Sequence, residues 1–250
     1  YVKCNLTQKR KNNKMCGIVG VLSQHQAAPL LVDALKKLEY RGYDSAGIAI
    51  INNGTIKSKR ALGKLTELND ILVYEPLIGK SGIGHTRWAT HGAPSVKNAH
   101  PHSTGKVSVV HNGIIENYKE LKAELCNLGY KFKSETDTEI IVNLISYKYN
   151  LSNDIERAIK ETADELSGTY ALCIISKFSP GKIYCVRHGS PLLIGSNENE
   201  IIVTSEQSGF CNKVNSYICL NNSDLSILSF IDNKLEIKTK SEYKKKSVNT

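Results

Sequence analysis

The sequence lacks the features of a membrane-anchored or disulfide-bonded protein. No apolar run approaches the roughly 18 residues that a membrane-spanning helix requires, and residues 1–14 contain no apolar stretch like the core of a secretory signal. The seven cysteines are odd in number, and no two have the C-x-x-C spacing. We therefore expect neither a membrane span nor a disulfide framework, and a reducing cytoplasm fits the composition best.

Recognisable metal and nucleic-acid motifs are missing as well. Five of the seven histidines lie between residues 85 and 111. Neither a His-Glu-x-x-His helix nor paired cysteines accompany them, so we predict no metal site. The formal charge is +9, but the basic excess is concentrated in terminal runs at 9–14 and 244–246. Such runs are usually solvated tails, so a nucleic-acid module, which would bind in a salt-dependent way, is the least favoured interpretation.

What the sequence does contain is typical of one large globular domain or two small ones. The chain has 250 residues, of which 40% are hydrophobic. Apolar runs at 16–22, 47–51 and 107–110 predict buried strands, and the apolar spacing over 29–38 predicts a helix. After residue 169, short strand-like runs dominate. Strands and helices without strict alternation indicate a layered α+β domain.

Capping patterns predict where two further helices begin. Thr136 and Glu139 form a capping box, and Asn153 and Glu156 repeat the pattern. Residues 111–113, His-Asn-Gly, have a turn-type sequence directly after a predicted strand. We therefore predict two helix starts and one turn in this part of the chain.

Five short segments carry the functional signal. In chain order they are MCGIVG (15–20), EYRGYDSAG (39–47), HTRWATHG (85–92), HNGIIEN (111–117) and SETDTE (134–139). Together they resemble the glutaminase domain of glucosamine-6-phosphate synthase, a class II amidotransferase with an N-terminal nucleophile. The resemblance covers residues 15 to 240, and the second and third segments are the most specific. It implies a four-layer αββα sandwich of the N-terminal-nucleophile hydrolase type and glutamine hydrolysis without a cofactor.

Cys16 resembles the nucleophile of that family. Removal of everything before Cys16 gives one residue both a thiol and a free α-amine, and amide hydrolysis needs a nucleophile with a base to take its proton. The amine titrates near ~7.7–8.0 and the thiol near ~8.5, so the two exchange a proton close to neutral pH. Without the surrounding motifs, Cys16 would be interpreted as a small buried thiol beside a strand.

Asn112 and Gly113 resemble the oxyanion hole of the family. The Asn112 side-chain amide provides one donor, and the Gly113 backbone N–H provides another, which a substrate can approach because glycine has no Cβ. Such a donor lowers the barrier by on the order of 3 kcal/mol. Taken alone, the pair would be an ordinary Asn-Gly turn.

The substrate-binding candidates follow from the same resemblance. Arg87 resembles the residue that holds the α-carboxylate of glutamine in a bidentate fork, and Asp137 resembles the carboxylate that receives the α-ammonium. Trp88, Thr90 and His91 share the loop of Arg87 and are expected to line the site. Taken alone, these three would be interpreted as packing and hydrogen-bonding residues. Asp137 would be interpreted as an acidic residue near a helix N-terminus, where its charge interacts favourably with the helix dipole.

Arg41 is a further substrate-binding candidate, in the same segment as Asp44. These two residues fit better as supports for the nucleophile's surroundings than as substrate contacts. The sequence does not separate the two roles.

The resemblance also divides the chain. Residues 1–15 are expected to be a flexible or removed leader, unless Met15 is the true start. Residues 16–240 form the type-2 amidotransferase domain, and 241–250 form a basic tail or linker. The full-length family enzyme passes the ammonia to fructose 6-phosphate in a C-terminal phosphosugar isomerase region that this chain lacks, and it is expected to be a homo-oligomer. If the leader stays in place, the domain is expected to be folded but inactive.

Two other functions remain open from the sequence. One is the glutaminase domain of another amidotransferase, such as the phosphoribosyl-pyrophosphate-dependent one, although the second and third segments argue against it. The other is a non-catalytic module that senses glutamine, which the intact leader supports. Glutamine binding without turnover, despite a free Cys16 amine, would distinguish the sensor from the enzyme.

Overall fold

The computed structural model describes residues 16–239 and the backbone of residues 246 and 247. The predicted leader and most of the predicted tail lie outside the described residues. The helices are α1 Ala27–Lys36, α2 Leu65–Tyr74, α3 Tyr118–Asn127, α4 Thr138–Ser152 and α5 Ile155–Glu165. Short 3₁₀ turns cover Glu39–Arg41 and Gln207–Phe210. Within this part of the chain, no helix is long and apolar enough to cross a membrane.

The strands form two antiparallel sheets. They are β1 Gly17–Ser23, β2 Ser45–Asn52, β3 Thr55–Leu62, β4 Ser81–Arg87, β5 His102–Ser103, β6 Val107–Ile115, β7 Gly168–Ser176, β8 Lys182–His188, β9 Leu193–Ser196, β10 Glu200–Thr204, β11 Ser216–Cys219, β12 Ser226–Ile231, β13 Lys234–Lys238 and β14 Lys246–Ser247. The first sheet has the order β14-β11-β9-β10-β1-β4-β2-β3, and the second has the order β13-β12-β8-β7-β6-β5.

The first sheet fixes the position of Cys16. β1 lies between β10 and β4, and its first residue, Gly17, pairs with Thr86 of β4. Cys16 directly precedes this pair, so the antiparallel register brings it beside the residues that follow β4. The sheet therefore places the start of the 16–22 run against the HTRWATHG segment.

The second sheet contains the HNG segment inside a strand. β6 runs through residues 111–113, where Asn112 pairs with Ala171 and Gly113 pairs with Tyr170 of β7. The turn predicted for this segment is therefore wrong. An Asn-Gly turn needs the next stretch of chain to fold back and pair, whereas here β7, from much later in the sequence, supplies the hydrogen-bonding partners.

Apolar side chains fill three spaces between four layers. The two sheets pack face to face around residues such as Ile18 and Val110. On the outer face of the first sheet, α1 and α2 bury side chains including Leu35. On the outer face of the second, α3, α4 and α5 bury side chains including Ile141. Each fully buried side chain of this kind contributes about 1.5–3 kcal/mol. The predicted α+β, four-layer αββα sandwich is confirmed.

The helix starts differ in detail from the capping prediction. α4 begins after Asp137 rather than after Thr136. The Glu139 carboxylate does reach back, but it accepts hydrogen bonds from the backbone N–H groups of Lys133 and Ser134 at 2.6–3.1 Å. Glu139 therefore fixes the segment that leads into the helix.

The second predicted cap is displaced by one residue. Asp154 is the N-cap of α5, and its carboxylate accepts from the backbone N–H groups of Glu156 and Arg157. Asn153 instead ends α4 in the left-handed conformation (φ 53°), which asparagine tolerates better than most residues. The predicted helices therefore exist, but Asp154 caps α5 in place of Asn153, and Asp137 takes the N-cap position of α4 without a side-chain capping bond.

Candidate active site

A narrow cleft opens where the ends of β1, β4 and β6 meet the start of α4. The residues that line it are Cys16, Arg87, Trp88, Thr90, His91, His100, His111, Gly113, Thr136, Asp137 and Thr138. Seven of the nine candidate residues are among them, and the other two, Asn112 and Arg41, contact Cys16 from behind. The cleft encloses about 10 Å³, which is the space of one water molecule.

The Cys16 thiol is held by the backbone of the residue after β4. The Trp88 N–H donates to Cys16 Sγ at 3.1 Å, and the thiol lies 3.4 Å from the Trp88 carbonyl oxygen. Burial raises the pKa of the Cys16 thiol above its ordinary value, while the Trp88 N–H and the nearby Arg87 guanidinium oppose that rise. At neutral pH the group is therefore a neutral thiol that needs a base before it can attack.

Two side chains hold the Cys16 carbonyl. Asn112 Nδ2 donates to this oxygen at 2.9 Å, and Arg41 Nη1 donates to it at 3.2 Å. The Arg41 guanidinium is also paired with the carboxylate of Glu206, which accepts from the Tyr40 hydroxyl as well. Arg41 thus lies against the backbone of Cys16, outside the lining of the cleft.

Gly113 lines the cleft together with Cys16, and its backbone leaves no room for a side chain. Its φ is +129°, and a Cβ at this position would lie 1.9 Å from the carbonyl oxygen of Thr169 on β7. Only glycine satisfies both constraints without moving the strand. Asn112 contacts Cys16 and Gly113 lines the same cleft, so this stretch of β6 carries a side-chain amide and a backbone N–H, the two kinds of donor found in oxyanion holes.

Arg87 ends β4 with its side chain buried at the floor of the cleft. Its Nη2 donates to the carbonyls of His91 at 2.5 Å and Gly92 at 2.9 Å, and its Nη1 lies 3.5 Å from Asp44 Oδ1. The guanidinium thereby fixes the loop that follows it. A substrate carboxylate can take the Nη2 donors only if these two loop carbonyls give them up.

The loop after Arg87 forms the outer side of the cleft. Trp88 contributes its backbone to the thiol, and the Asp44 carboxylate accepts from the next N–H, that of Ala89. Thr90 is exposed, and the His91 ring lies edge-on to Tyr118, with centroids 5.0 Å apart. The structure therefore brings Trp88, Thr90 and His91 to the cleft.

Asp137 closes the opposite side. Its Oδ2 accepts from the Ile115 N–H at the end of β6 at 3.0 Å, and its Oδ1 lies 4.0 Å from His111 Nδ1. The residue therefore connects the start of α4 to the strand that carries Asn112 and Gly113. The Asp137 carboxylate also lines the cleft, where it could bind a cationic group.

Four buried histidines surround the site. Desolvation lowers the pKa of His85 and of His102 to about 3, and it also lowers the pKa of His100 and His111. All four are therefore neutral at physiological pH. Among the described residues, no group of three or more His, Cys, Asp or Glu side chains has an arrangement that would hold a metal ion.

Three supporting residues are absent from the sequence prediction. Glu206 anchors Arg41, Asn98 joins the loop at 93 to the backbone at Glu135, and His85 contacts the Asn112 side chain. His85 lies inside a segment that the motifs single out, so its position could have been flagged. Glu206 and Asn98 carry no local signal.

A larger groove lies on the outer helix layer, between α1 and α2. It encloses about 330 Å³ and is lined mainly by apolar residues, with Asp33 as its one charged side chain. The narrow cleft at Cys16 is the better candidate site, because it combines a thiol, hydrogen-bond donors and side chains of both charges.

The comparisons with known sequences agree with this geometry. A family model described as "Glutamine amidotransferase domain" matches residues 85–212. Curated glutamine–fructose-6-phosphate aminotransferases (isomerizing) from Acinetobacter baylyi and Clostridium tetani are each 46% identical over 86% of this chain. The chain spans only 35% of the length of either relative.

Solved structures show the same fold. The glutamine phosphoribosylpyrophosphate amidotransferase from B. subtilis superposes with a TM-score of 0.76 at 25% identity, covering 89% of this chain and 49% of that one. A glutamine aminotransferase class-II domain protein from Silicibacter pomeroyi superposes with a TM-score of 0.60 at 13% identity over 89% of this chain and 98% of that one, and it supports the fold alone. The family match covers half of the chain, and the chain belongs to the glutamine amidotransferase domain family.

Proposed function

We propose that this domain hydrolyses L-glutamine to glutamate and ammonia through a thioester on Cys16. The observation that supports this most directly is the position of the Cys16 thiol. It lines a cleft that also contains Arg87, Gly113 and Asp137, and the Asn112 side chain donates to the Cys16 carbonyl. This arrangement offers a nucleophile, oxyanion donors and one group for each charge of an amino acid.

The reaction needs one proton acceptor. The Cys16 thiol gives its proton to the free α-amine of the same residue, and the sulfur attacks the side-chain carbonyl carbon of glutamine. Asn112 Nδ2 and the Gly113 N–H hold the resulting oxyanion. The ammonium of Cys16 returns the proton to the leaving nitrogen, and ammonia departs. Water then cleaves the thioester, which releases glutamate and restores the thiol.

The burial of Cys16 makes the free amine essential. Because desolvation raises the pKa of the thiol, the sulfur does not ionise by itself at neutral pH. If residues 1–15 remain attached, the nitrogen of Cys16 is an amide and has no basicity near neutral pH. We therefore propose that the active form begins at Cys16.

Substrate binding requires the cleft to widen. Its enclosed space of about 10 Å³ is far smaller than a glutamine molecule. The Arg87 donors are occupied by the carbonyls of His91 and Gly92, so outward movement of this loop would free them for the α-carboxylate. Asp137 is already fixed by the Ile115 N–H and would receive the α-ammonium. Trp88, Thr90 and His91 would then cover the bound substrate.

We propose fructose 6-phosphate as the acceptor of the ammonia in the full-length protein. The names of the 46%-identical relatives support this, whereas the phosphoribosylpyrophosphate enzyme is 25% identical. In this proposal residues 16–240 form the amidotransferase domain, and the acceptor chemistry belongs to a C-terminal phosphosugar isomerase region. The full-length protein would be a homo-oligomer that works in the cytoplasm, where Cys16 stays reduced.

The test compares two forms of the chain. One form begins at Met15, so that removal of Met15 exposes the Cys16 amine, and the other is the full 250-residue chain. Intact mass establishes the N-terminus of each, and release of glutamate and ammonia from glutamine measures turnover. We expect turnover only from the form that begins at Cys16, and we expect Cys16→Ala in that form to abolish it.

Two results would overturn the proposal. Equal turnover by the form that retains residues 1–15 would show that the α-amine is not the base. Tight glutamine binding without turnover, with the Cys16 amine proven free by mass, would identify the domain as a glutamine sensor instead.

A further inference from the structure

The Asn112 side chain is held at both ends. Its Nδ2 lies 2.9 Å from the carbonyl oxygen of Cys16, and its Oδ1 lies 2.9 Å from His85 Nε2. A carbonyl oxygen only accepts hydrogen bonds, so the Asn112 atom that faces Cys16 must be the NH₂ group. The Asn112 oxygen therefore faces His85, and His85 Nε2 must carry a proton to complete the contact.

We propose that His85 is a positioning residue. Its Nε2–H fixes the orientation of the Asn112 amide, so that one N–H of the NH₂ group holds the Cys16 carbonyl and the other remains available to the oxyanion. This inference deepens the proposed function and rests on it for its catalytic consequence. Without the His85 donor, the Cys16 carbonyl alone would hold the Asn112 amide, and the N–H aimed at the oxyanion would be less firmly fixed.

The surroundings of His85 suit this role. The residue is fully buried on β4, between the two sheets, and its ring lies 4.2 Å (centroid to centroid) from the ring of His100. Packing therefore restricts rotation of the ring. Burial also lowers the pKa of His85 to about 3, so the imidazole is neutral and presents one fixed N–H to Asn112.

Two substitutions of His85 separate the donor from the ring. His85→Phe keeps an aromatic ring in the space and removes the N–H, whereas His85→Gln restores an N–H near the position of Nε2. In the form that begins at Cys16, we expect His85→Phe to lower kcat for glutamine by about 10–100-fold, with KM within about twofold. We expect His85→Gln to recover most of the lost kcat. If His85 acted only by filling space, His85→Phe would retain more of the wild-type kcat than His85→Gln.

A spectroscopic measurement decides the proposal independently of turnover. In ¹⁵N-labelled protein, we expect the His85 ring to be neutral with the proton on Nε2. We also expect His85→Phe to shift the Asn112 side-chain amide signals and to speed their exchange with solvent. If His85→Phe does not fold, the His85→Gln kinetics and the wild-type tautomer still test the proposal.

The proposal is overturned if the His85 proton resides on Nδ1, or if His85→Phe retains the wild-type kcat. It is also overturned if the Phe and Gln variants lose kcat equally. A wild-type domain with no glutaminase activity would refute the proposed function, and the tautomer and the Asn112 signals would still decide whether His85 orients that amide.

Discussion

The two sides of the cleft are held by different interactions. The strand wall, defined as Cys16, Asn112 and Gly113, lies on or next to β1 and β6. β1 pairs with strands on both sides, and β6 pairs with β7 through residues 107–115. The loop wall, defined as residues 88–100 and 133–137, is held mainly by single side chains such as Asn98 and Glu139 that bond to backbone groups. Backbone hydrogen bonds between strands hold the strand wall, whereas a few side-chain hydrogen bonds hold the loop wall.

This difference suits two separate tasks: the strand wall can keep the reacting groups in place, and the loop wall can open to admit the substrate. In the proposed mechanism, Cys16, Asn112 and Gly113 must keep their geometry throughout turnover, and the two sheets restrict the movement of their backbone. The loop wall must move if glutamine is to enter a cleft of about 10 Å³. A side-chain hydrogen bond contributes only about 0.5–1.5 kcal/mol net, so such a wall can open at moderate cost.

The largest effect is expected from Gly113→Ala in the strand wall. The new Cβ would lie 1.9 Å from the Thr169 carbonyl oxygen at a φ of +129°, so β6 must shift away from β7. We expect the free energy of unfolding to fall by about 3 kcal/mol or more. Displacement of the Gly113 N–H should lower kcat by at least about 100-fold. Chemical denaturation and glutamine turnover measure the two effects.

Gly105→Ala is the matched control. Gly105 also has a positive φ, +79°, but a Cβ there would meet nothing within 4 Å. We expect only the backbone strain, about 1 kcal/mol, and unchanged kcat. If Gly113→Ala were no worse than Gly105→Ala, the strand wall would not depend on the close contact with β7.

The strand wall is also the part of the site that sequence predicts best. Cys16 and the Asn112–Gly113 pair lie in short contiguous segments, and their proposed roles follow from the family resemblance of those segments rather than from the residues taken alone. The strand β4 is not predicted, because Gly82, Gly84 and His85 break any apolar alternation. It becomes a strand because β1 and β2 flank it on both sides.

The loop wall and the supports of Cys16 could not be predicted in the same way. Glu206 is 165 residues from its partner Arg41, and Asn98 is 37 residues from Glu135. Neither residue belongs to a recognisable pattern, because each acquires its role only when the fold brings distant backbone beside it. The turn predicted for the HNG segment is wrong for the same reason, because the strand that pairs with this segment, β7, lies far along the chain.

An acid-dependent loss of stability is expected from histidines that lie in or beside both walls. The pKa of His85 and of His102 is about 3 in the folded protein, below the ordinary value of 6.5. Below pH 6.5 the unfolded chain binds protons that the folded chain does not, so stability falls as the pH drops from 6.5 toward 3. At pH 5, each of these two histidines should lower the free energy of unfolding by about 2 kcal/mol relative to neutral pH.

Denaturation curves measured between pH 7.5 and 4.5 test this expectation. His102→Gln keeps a polar side chain near Thr136 but removes one titrating group. Below pH 6 the slope of unfolding free energy against pH should therefore fall by about 1.4 kcal/mol per unit. An unchanged slope would show that His102 takes up its proton equally in the folded state.

The smallest effect is expected from Asn98→Ala in the loop wall. Fully buried Asn98 donates to the Ala93 carbonyl at 2.8 Å and accepts from the Glu135 N–H at 3.0 Å, so it joins the two segments of this wall. Its loss leaves these groups unpaired, at a cost of about 1–3 kcal/mol. We expect KM for glutamine to rise up to about tenfold, with kcat within about threefold.

The kinetic pattern of Asn98→Ala decides whether the two walls are independent. Exposed Asn127, at the end of α3, is the control, and Asn127→Ala should change neither constant. If kcat fell as far as in Gly113→Ala while KM stayed constant, the loop wall would also shape the oxyanion site. A rise confined to KM means that Asn98 sets how readily the loop wall holds glutamine, and that the geometry around Cys16 does not depend on Asn98.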